Sequence, residues 1–318
     1  GLCILPLTHQ VLRERVWLWR AIVFGGGVLV ILVTILGIIG QVTGTQVPGI
    51  DRPLREGRLG GISGSVMTYG YTMQFIFLLV LAAWFPTETV KRWITGICPD
   101  RRIWFGFLSL LSLTVALGVY LSMSRGAVLG IGIGCLGFLV VLRSKRLWVL
   151  AVVALLGIGW FASENQARYF RSLKKDTVRY AQWKGSALAF LDHPLFGLGH
   201  RQFEKQSDVL KQSYGMPPDF RKRTYFRGHA HNNFLEAFAS NGVFGGLALI
   251  AFCGFWLTEA WASSDGRRFF VPIVLAFIAS GMVENTFTDS EVLHSILFLY
   301  VLSHVVLRYE EGKPAAAT

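Results

Sequence analysis

The sequence lacks the charge that a soluble domain carries. Only 16% of its 318 residues are Asp, Glu, Lys or Arg, and 53% are hydrophobic, whereas soluble proteins average about 25% charged residues. The charges cluster between apolar runs, and a run of about 20 apolar residues crosses a bilayer as one helix. These runs are continuous, while the strands of a membrane barrel alternate. The sequence therefore predicts an all-α, polytopic transmembrane helical bundle.

Other absences argue against further classes of protein. The four cysteines form no CxxC pair, so we predict neither a disulfide nor a zinc site. Residues 132–137 match GxGxxG, but they follow no predicted strand, which argues against dinucleotide binding. Instead Gly126, Gly130 and Gly134 predict a face for close helix packing. The chain starts at Gly1 rather than Met, and we expect it to be a piece of a longer protein.

Eight apolar segments predict the membrane spans. Lys and Arg collect in loops on the cytoplasmic side, and every short basic loop falls on one side when eight spans are counted. We therefore predict five spans within residues 1–161, a long outward-facing loop at 162–232, and three spans with a cytoplasmic tail within 233–318. The predicted spans are 21–40, 66–85, 103–122, 127–142, 147–161, 233–258, 269–286 and 292–307.

The long loop is basic, with thirteen Lys or Arg against six Asp or Glu. The chain as a whole has a formal net charge of +12, and in a membrane protein cytoplasmic loops explain such a balance better than nucleic-acid binding does. This loop faces outward, however, and its charge suits an anionic ligand such as a phosphate. Residues 177–191 within it predict an amphipathic helix that lies on the membrane surface or packs on its neighbours.

Three outward-facing residues are candidates for chemistry: Arg125, Arg179 and His231. Charged side chains at a membrane edge are costly and invite a functional hypothesis. The predicted topology puts all three on one membrane face, together with Glu284 and Asp289.

The alternatives are structural. Arg125 could cap carbonyls at a helix end or reach the lipid headgroups, and Arg179 could pair with Asp176 or be solvated. His231 with Asn232 could be only a helix cap.

Two further features bear on metal binding. His229-Ala-His231 offers two ligands of the right type, but residues at this spacing do not share a helix face and the sequence shows no third ligand. A structural histidine is the default interpretation, and we predict no metal site.

The residues around His231 also form a longer pattern. His231-Asn232 is followed after nine residues by Gly242-Val-Phe-Gly245, which resembles the His-[Asn/Ser/Gln]-x9-Gly-x-x-Gly signature of the O-antigen ligase and polymerase family. Three upstream motifs also resemble that family: Arg58-Leu-Gly-Gly, Ser124-Arg125-Gly126, and Arg179-Tyr-Ala-Gln-Trp-Lys-Gly followed by Pro194-Leu-Phe-Gly197-Leu-Gly199. Since family members have about twelve spans, the resemblance implies further spans before Gly1.

The resemblance implies a reaction and roles for these residues. Family enzymes move a glycan from undecaprenyl diphosphate to an acceptor on the periplasmic face of the bacterial inner membrane. Arg125 and Arg179, with Arg58, would hold the diphosphate, and His231 would be the general base. We expect Asn232, Glu284 or Asp289 to bind substrate or orient the base. Neither a metal nor another cofactor is expected, because the arginines would neutralise the diphosphate.

Several acceptors are compatible with this family signature. We predict a ligase that transfers O-antigen glycan to the lipid A core oligosaccharide with inversion, in contact with membrane lipids. An O-antigen polymerase and a protein O-oligosaccharyltransferase share the signature and remain alternatives. A transporter or flippase for an anionic lipid is the alternative from another class, although the spans show few mid-membrane charges.

Overall fold

The structure is a computed structural model in which several segments are described. These are residues 16–43, 54–55, 58–61, 65–88, 91, 100–143, 177–218, 225 and 227–310. The predicted span 147–161 and the loop residues 162–176 and 219–224 lie outside them.

Most of the described residues are helical, which confirms the predicted fold class. Antiparallel β1 (Leu54–Arg55) and β2 (Arg58–Leu59) form the one small hairpin of this part of the chain. The helices are α1 Val16–Thr43, α2 Val66–Ala83, α3 Arg101–Ser122, α4 Arg125–Leu142, α5 Thr177–Asp192, α6 Gln202–Ser213, α7 Asn233–Ala262, α8 Ser264–Phe269, α9 Val271–Gly281 and α10 Ser290–Glu310.

Four of these helices, α2, α3, α4 and α7, are long and apolar enough to cross a membrane. The apolar part of α1, Phe24–Gly40, is shorter. The predicted span 269–286 differs from the structure, because α9 ends at Gly281 and the following residues form a turn. The physical reason is that the Asn233 carboxamide accepts hydrogen bonds from the backbone N–H groups of Thr286 and Phe287, which a continuing helix would have used.

The chain divides into two compact units. Unit 1 comprises Gly1–Phe138, Trp256–Phe277 and Asp289–Thr318, and unit 2 comprises Leu139–Phe255 and Ile278–Thr288. In unit 1, α2 and α3 pack through a buried core that includes Met73 and Leu108. The predicted packing face of α4 is confirmed, since Gly126, Gly130 and Gly134 lie against side chains of α2, where a Cβ would collide.

Unit 2 contains α5, α6 and most of α7. Phe203 of α6 is fully buried among Ala189 of α5, Ala239 of α7 and Ala230 of the segment before α7. The predicted amphipathic helix 177–191 matches α5 within one residue, whereas the sequence did not indicate α6. This core fixes the three elements around the segment that carries His229 and His231.

Candidate active site

Glu284 lies in the turn after α9, and two histidines of unit 2 converge on it. Its Oε1 atom is 2.6 Å from Nδ1 of His231 and 2.8 Å from Nε2 of His229. The backbone N–H of Asn285 donates to the same oxygen over 3.2 Å. The carboxylate is buried, with 6% of the side chain exposed, while the two imidazoles are 23% and 32% exposed. The structure thus joins residues that are more than 50 positions apart.

The hydrogen-bond chemistry fixes the tautomers of both rings. An ionised carboxylate only accepts hydrogen bonds, so Nδ1 of His231 and Nε2 of His229 carry the hydrogens. Nε2 of His231 is then the basic nitrogen of its ring. A carboxylate that holds one imidazole nitrogen while the other accepts a proton is the arrangement of a general base with its orienting acid.

Arg179 of α5 adds a positive charge to this cluster. Its guanidinium nitrogen lies 3.7 Å from Oε2 of Glu284, and its side chain is 23% exposed. Burial by itself would raise the pKa of Glu284, but the hydrogen bonds from His229 and His231 hold that pKa below its ordinary range. Burial lowers the pKa of His229, and the hydrogen bond and charge of Glu284 outweigh it, so that this pKa is raised. Glu284 is therefore an anion that favours the protonated form of His229.

Two asparagines at the start of α7 fasten the turn that carries Glu284. The Asn233 amide group donates to Oγ1 of Thr286 and its oxygen accepts the two backbone N–H groups described above. Asn232 donates from Nδ2 to the carbonyl of Met282, and its Oδ1 accepts from the N–H groups of Phe234 and Leu235. Asn232 is thus the N-cap of α7 and a clamp on the turn. The structural alternative considered from sequence, a helix cap at this position, describes these contacts.

The segment that carries the histidines is fastened by other elements of unit 2. The buried Glu236 accepts from the backbone N–H of Ala230 over 2.8 Å, between the two histidines. Trp183 of α5 donates to the carbonyl of His231 over 3.2 Å. From α6, Ser207 accepts from the N–H of Gly228. His231 itself has φ 49°, a left-handed conformation that non-glycine residues adopt at a cost, so these bonds support a strained position.

The first signature glycine, Gly242, has a structural explanation. Gly242 breaks the helical geometry of α7 with φ 65° and ψ −162°. At this break Val243 donates to the carbonyl of Pro194, and Leu198 donates to that of Ala239. A Cβ at Gly242 would lie 2.2 Å from the Leu195 carbonyl oxygen. The Pro-Leu-Phe-Gly-Leu-Gly turn therefore docks on the kink, and only glycine fits there.

The other candidates from the sequence lie in unit 1. Arg58 donates to the carbonyls of Ser122 and Met123 over 2.8 and 3.3 Å. It therefore supports the corner between α3 and α4, directly before the half-buried Arg125. Asp289 caps α10 by accepting from the N–H groups at its start, and it also accepts from Thr68.

The sequence did not predict that His229 would contact Glu284. The spacing argument assumed a helix, but residues 227–230 are not helical, so residues i and i+2 can turn toward the same acid. The third partner, Glu284, lies 53 residues beyond His231, and no local sequence pattern predicts a contact over this separation. The His-Ala-His sequence was the available signal.

The comparisons with known proteins agree with the resemblance seen in the sequence. The family model described as O-antigen ligase matches residues 110–250, which include Arg125, Arg179, His231 and both signature glycines. The comparison with curated proteins found no match. At the level of the family, the predicted resemblance is confirmed.

Proposed function

We propose that this chain, which carries an O-antigen ligase family domain among membrane helices, is an inverting, metal-independent glycosyltransferase. The family supports a membrane enzyme that handles lipid-linked glycans. The donor we propose is a glycan on undecaprenyl diphosphate, and the acceptor is the lipid A core oligosaccharide. The reaction would take place on the periplasmic face of the bacterial inner membrane, as a step of lipopolysaccharide synthesis.

One observation carries the proposal: Nδ1 of His231 lies 2.6 Å from the buried carboxylate of Glu284. This contact leaves Nε2 to take the proton of the acceptor hydroxyl as its oxygen attacks the anomeric carbon. The bond from that carbon to the diphosphate breaks, and the lipid diphosphate leaves with the electron pair. Glu284 stabilises the imidazolium that forms, and a single displacement inverts the anomeric centre.

The arginines would hold the leaving group. A guanidinium has five N–H donors in a fork, so Arg179 can contact both Glu284 and a diphosphate oxygen. We assign the same binding role to Arg125, because it stands in the Ser-Arg-Gly motif. Arg58, Asn232 and Asp289 hold backbone groups in the structure, and we propose that they act chiefly by positioning.

The proposal is tested with purified protein, carrier-linked glycan and lipid A core in the presence of EDTA. Wild type should transfer the glycan, and His231→Ala should lose transfer by about 10²–10⁴-fold, the usual contribution of a general base. His200→Ala is the matched control, because His200 is exposed and outside the cluster. Equal activity of wild type and His231→Ala would contradict the assignment of the base.

The same assay separates the alternatives by acceptor. Lengthening of the glycan on its carrier without transfer to lipid A core would identify a polymerase, and transfer to Ser or Thr of a peptide would identify a protein O-oligosaccharyltransferase. Absence of any transfer, with movement of the lipid-linked glycan across proteoliposomes, would favour a flippase.

A further inference from the structure

The cluster around Glu284 also has the donor set of a transition-metal site. One nitrogen of each of His229 and His231 and a carboxylate oxygen of Glu284 lie within 4.8 Å of one another. Imidazole and carboxylate are accepted by Zn²⁺ and related dications. We propose that these three residues bind such an ion, and that the bound ion inhibits glycan transfer. Binding stands on the geometry alone, whereas inhibition rests on the proposed function.

A second observation concerns the other oxygen of this carboxylate, Oε2. Oε2 of Glu284 is buried and accepts no hydrogen bond from the described residues. The guanidinium of Arg179 forms an ion pair with Oε2 over 3.7 Å, which is beyond hydrogen-bond distance. Buried polar atoms are rarely left in this state. A metal ion bound through the carboxylate would satisfy Oε2.

The present geometry needs little change to admit an ion. Two ligands of a tetrahedral zinc lie roughly 3.3 Å apart, given bonds of about 2.0–2.1 Å. The two nitrogens are now 2.6 and 2.8 Å from Oε1. Rotation of the Glu284 carboxylate would open these separations and present either oxygen. The backbone can stay in place, because Asn233 holds the turn and Glu236 holds the histidine segment.

Inhibition follows from the atom that the ion would use. Nδ1 of His231 must lose its hydrogen to bind a metal, and it then loses the hydrogen bond through which Glu284 holds the ring. In the neutral ring the hydrogen then sits on Nε2, which can no longer take the proton of the acceptor hydroxyl. An enzyme that works in EDTA would therefore lose activity when Zn²⁺ is added and recover it when EDTA is restored.

Direct binding is the first test. Protein with an affinity tag that lacks histidine is stripped with EDTA, dialysed, and titrated with Zn²⁺ in a calorimeter. Wild type should bind one ion at this site. His229→Ala should bind at least about tenfold more weakly, since even the loss of an outer-shell partner has an effect of this size. His200→Ala should bind as wild type does. Wild-type affinity in His229→Ala would overturn the proposal.

A second variant guards against a folding defect. His229→Gln keeps an N–H donor for Glu284 but is a poor zinc ligand, so it should melt as wild type does and still bind Zn²⁺ more weakly. Wild type with Co²⁺ added should show the visible absorption bands of cobalt bound by nitrogen and oxygen ligands. His229→Gln should lack these bands. A cobalt spectrum like that of wild type in His229→Ala and His229→Gln would overturn the proposed site.

The activity arm separates this inference from the proposed function. Zn²⁺ should inhibit wild type and have less effect on His229→Gln. Binding of Zn²⁺ without inhibition, or activation of the stripped protein by Zn²⁺, would overturn the inhibitory role. If the stripped protein binds one ion but transfers no glycan under any condition, the proposed function fails while the metal site stands.

Discussion

Arg125 lies just after a corner of the backbone and His231 lies at one, but the two corners are built differently. At the first, Met123 is left-handed with φ 48°, and Arg58 donates to the carbonyls that end α3. At the second, the histidine itself has φ 49°, and side chains of Glu236 and Glu284 hold its segment. At the first corner the Arg58 side chain binds backbone carbonyls, whereas the second also depends on contacts between side chains, those of the two histidines with Glu284.

This difference predicts different sensitivities. Every residue has a backbone carbonyl, so Arg58 can still bind the α3–α4 corner when Ser122 or Met123 is substituted. This corner should therefore tolerate such substitutions. The cluster in unit 2 depends on carboxylates and amides at fixed positions, and loss of one partner leaves another buried group without its bond. Polar substitutions of similar size should therefore have larger effects in unit 2.

The largest effect is expected for Glu284→Gln. The amide is neutral and cannot stabilise the imidazolium of His231, so glycan transfer should fall by about 10²–10⁴-fold while the fold is kept. Transfer is measured with carrier-linked glycan in EDTA, and folding by the melting temperature. Glu291→Gln is the control, because Glu291 is exposed in the first turn of α10. Unchanged transfer in Glu284→Gln would remove this carboxylate from the mechanism.

The second largest effect is expected for Gly242→Ala, which tests the break in the helical backbone of α7. Gly242→Ala puts a Cβ 2.2 Å from the Leu195 carbonyl oxygen at φ 65°, and left-handed strain and overpacking together should cost about 2–5 kcal/mol. The thermal midpoint in detergent should fall accordingly. Gly254→Ala lies in the same helix with open space around it, and this control should be neutral or slightly stabilising. Similar midpoints for the two variants would contradict the docking of the turn on the kink.

Arg58→Met sharpens the comparison from unit 1. It removes charged hydrogen bonds to the carbonyls of Ser122 and Met123, and such bonds contribute about 1.5–3 kcal/mol. The thermal midpoint should fall, and transfer should fall less than in Glu284→Gln. Arg102→Met, at an exposed site on α3, is the control. A loss of transfer as large as that of Glu284→Gln, at normal stability, would return Arg58 to direct diphosphate binding.

The helices could be predicted from the sequence because their signal is local. Long apolar runs specify α2, α3, α4 and α7, and glycines at four-residue spacing specify the packing face of α4. The end of α9 could not be predicted, because it depends on Asn233, which is 53 residues distant from Thr286. Apolar composition alone predicts that the helix continues past Gly281.

The candidate site was only partly predictable for the same reason. The His-Asn signature marked His231, and Glu284 was one of two acids considered for it. The structure brings Glu284 to the imidazole and assigns Asp289 to the cap of α10. Glu284 and Asp289 both lie near the end of α9 in the sequence. Only the path of the turn decides which of them reaches His231, and side chains distant in the sequence set that path. His229 was dismissed on helix spacing because its non-helical segment has no sequence signal of its own.

The smallest effect compares one tryptophan from each unit. Trp183 of unit 2 donates to the carbonyl of His231 over 3.2 Å, and Trp84 of unit 1 donates to Ser112 over 2.9 Å. Replacement by Phe removes one neutral hydrogen bond in each case, worth about 0.5–1.5 kcal/mol. Trp183→Phe should lower transfer by about 2–10-fold, because His231 must keep its strained φ while its ring faces Glu284.

Trp84→Phe should leave transfer unchanged, although its bond is the shorter one. If the two variants lose transfer equally, the effect belongs to the general stability of the helices, and the contrast between the units is wrong. If only Trp183→Phe is impaired in transfer, and the two variants have similar melting temperatures, then the backbone at His231 is held in place for catalysis. A hydrogen bond of ordinary strength would then matter because it restrains a residue whose conformation is unfavourable without it.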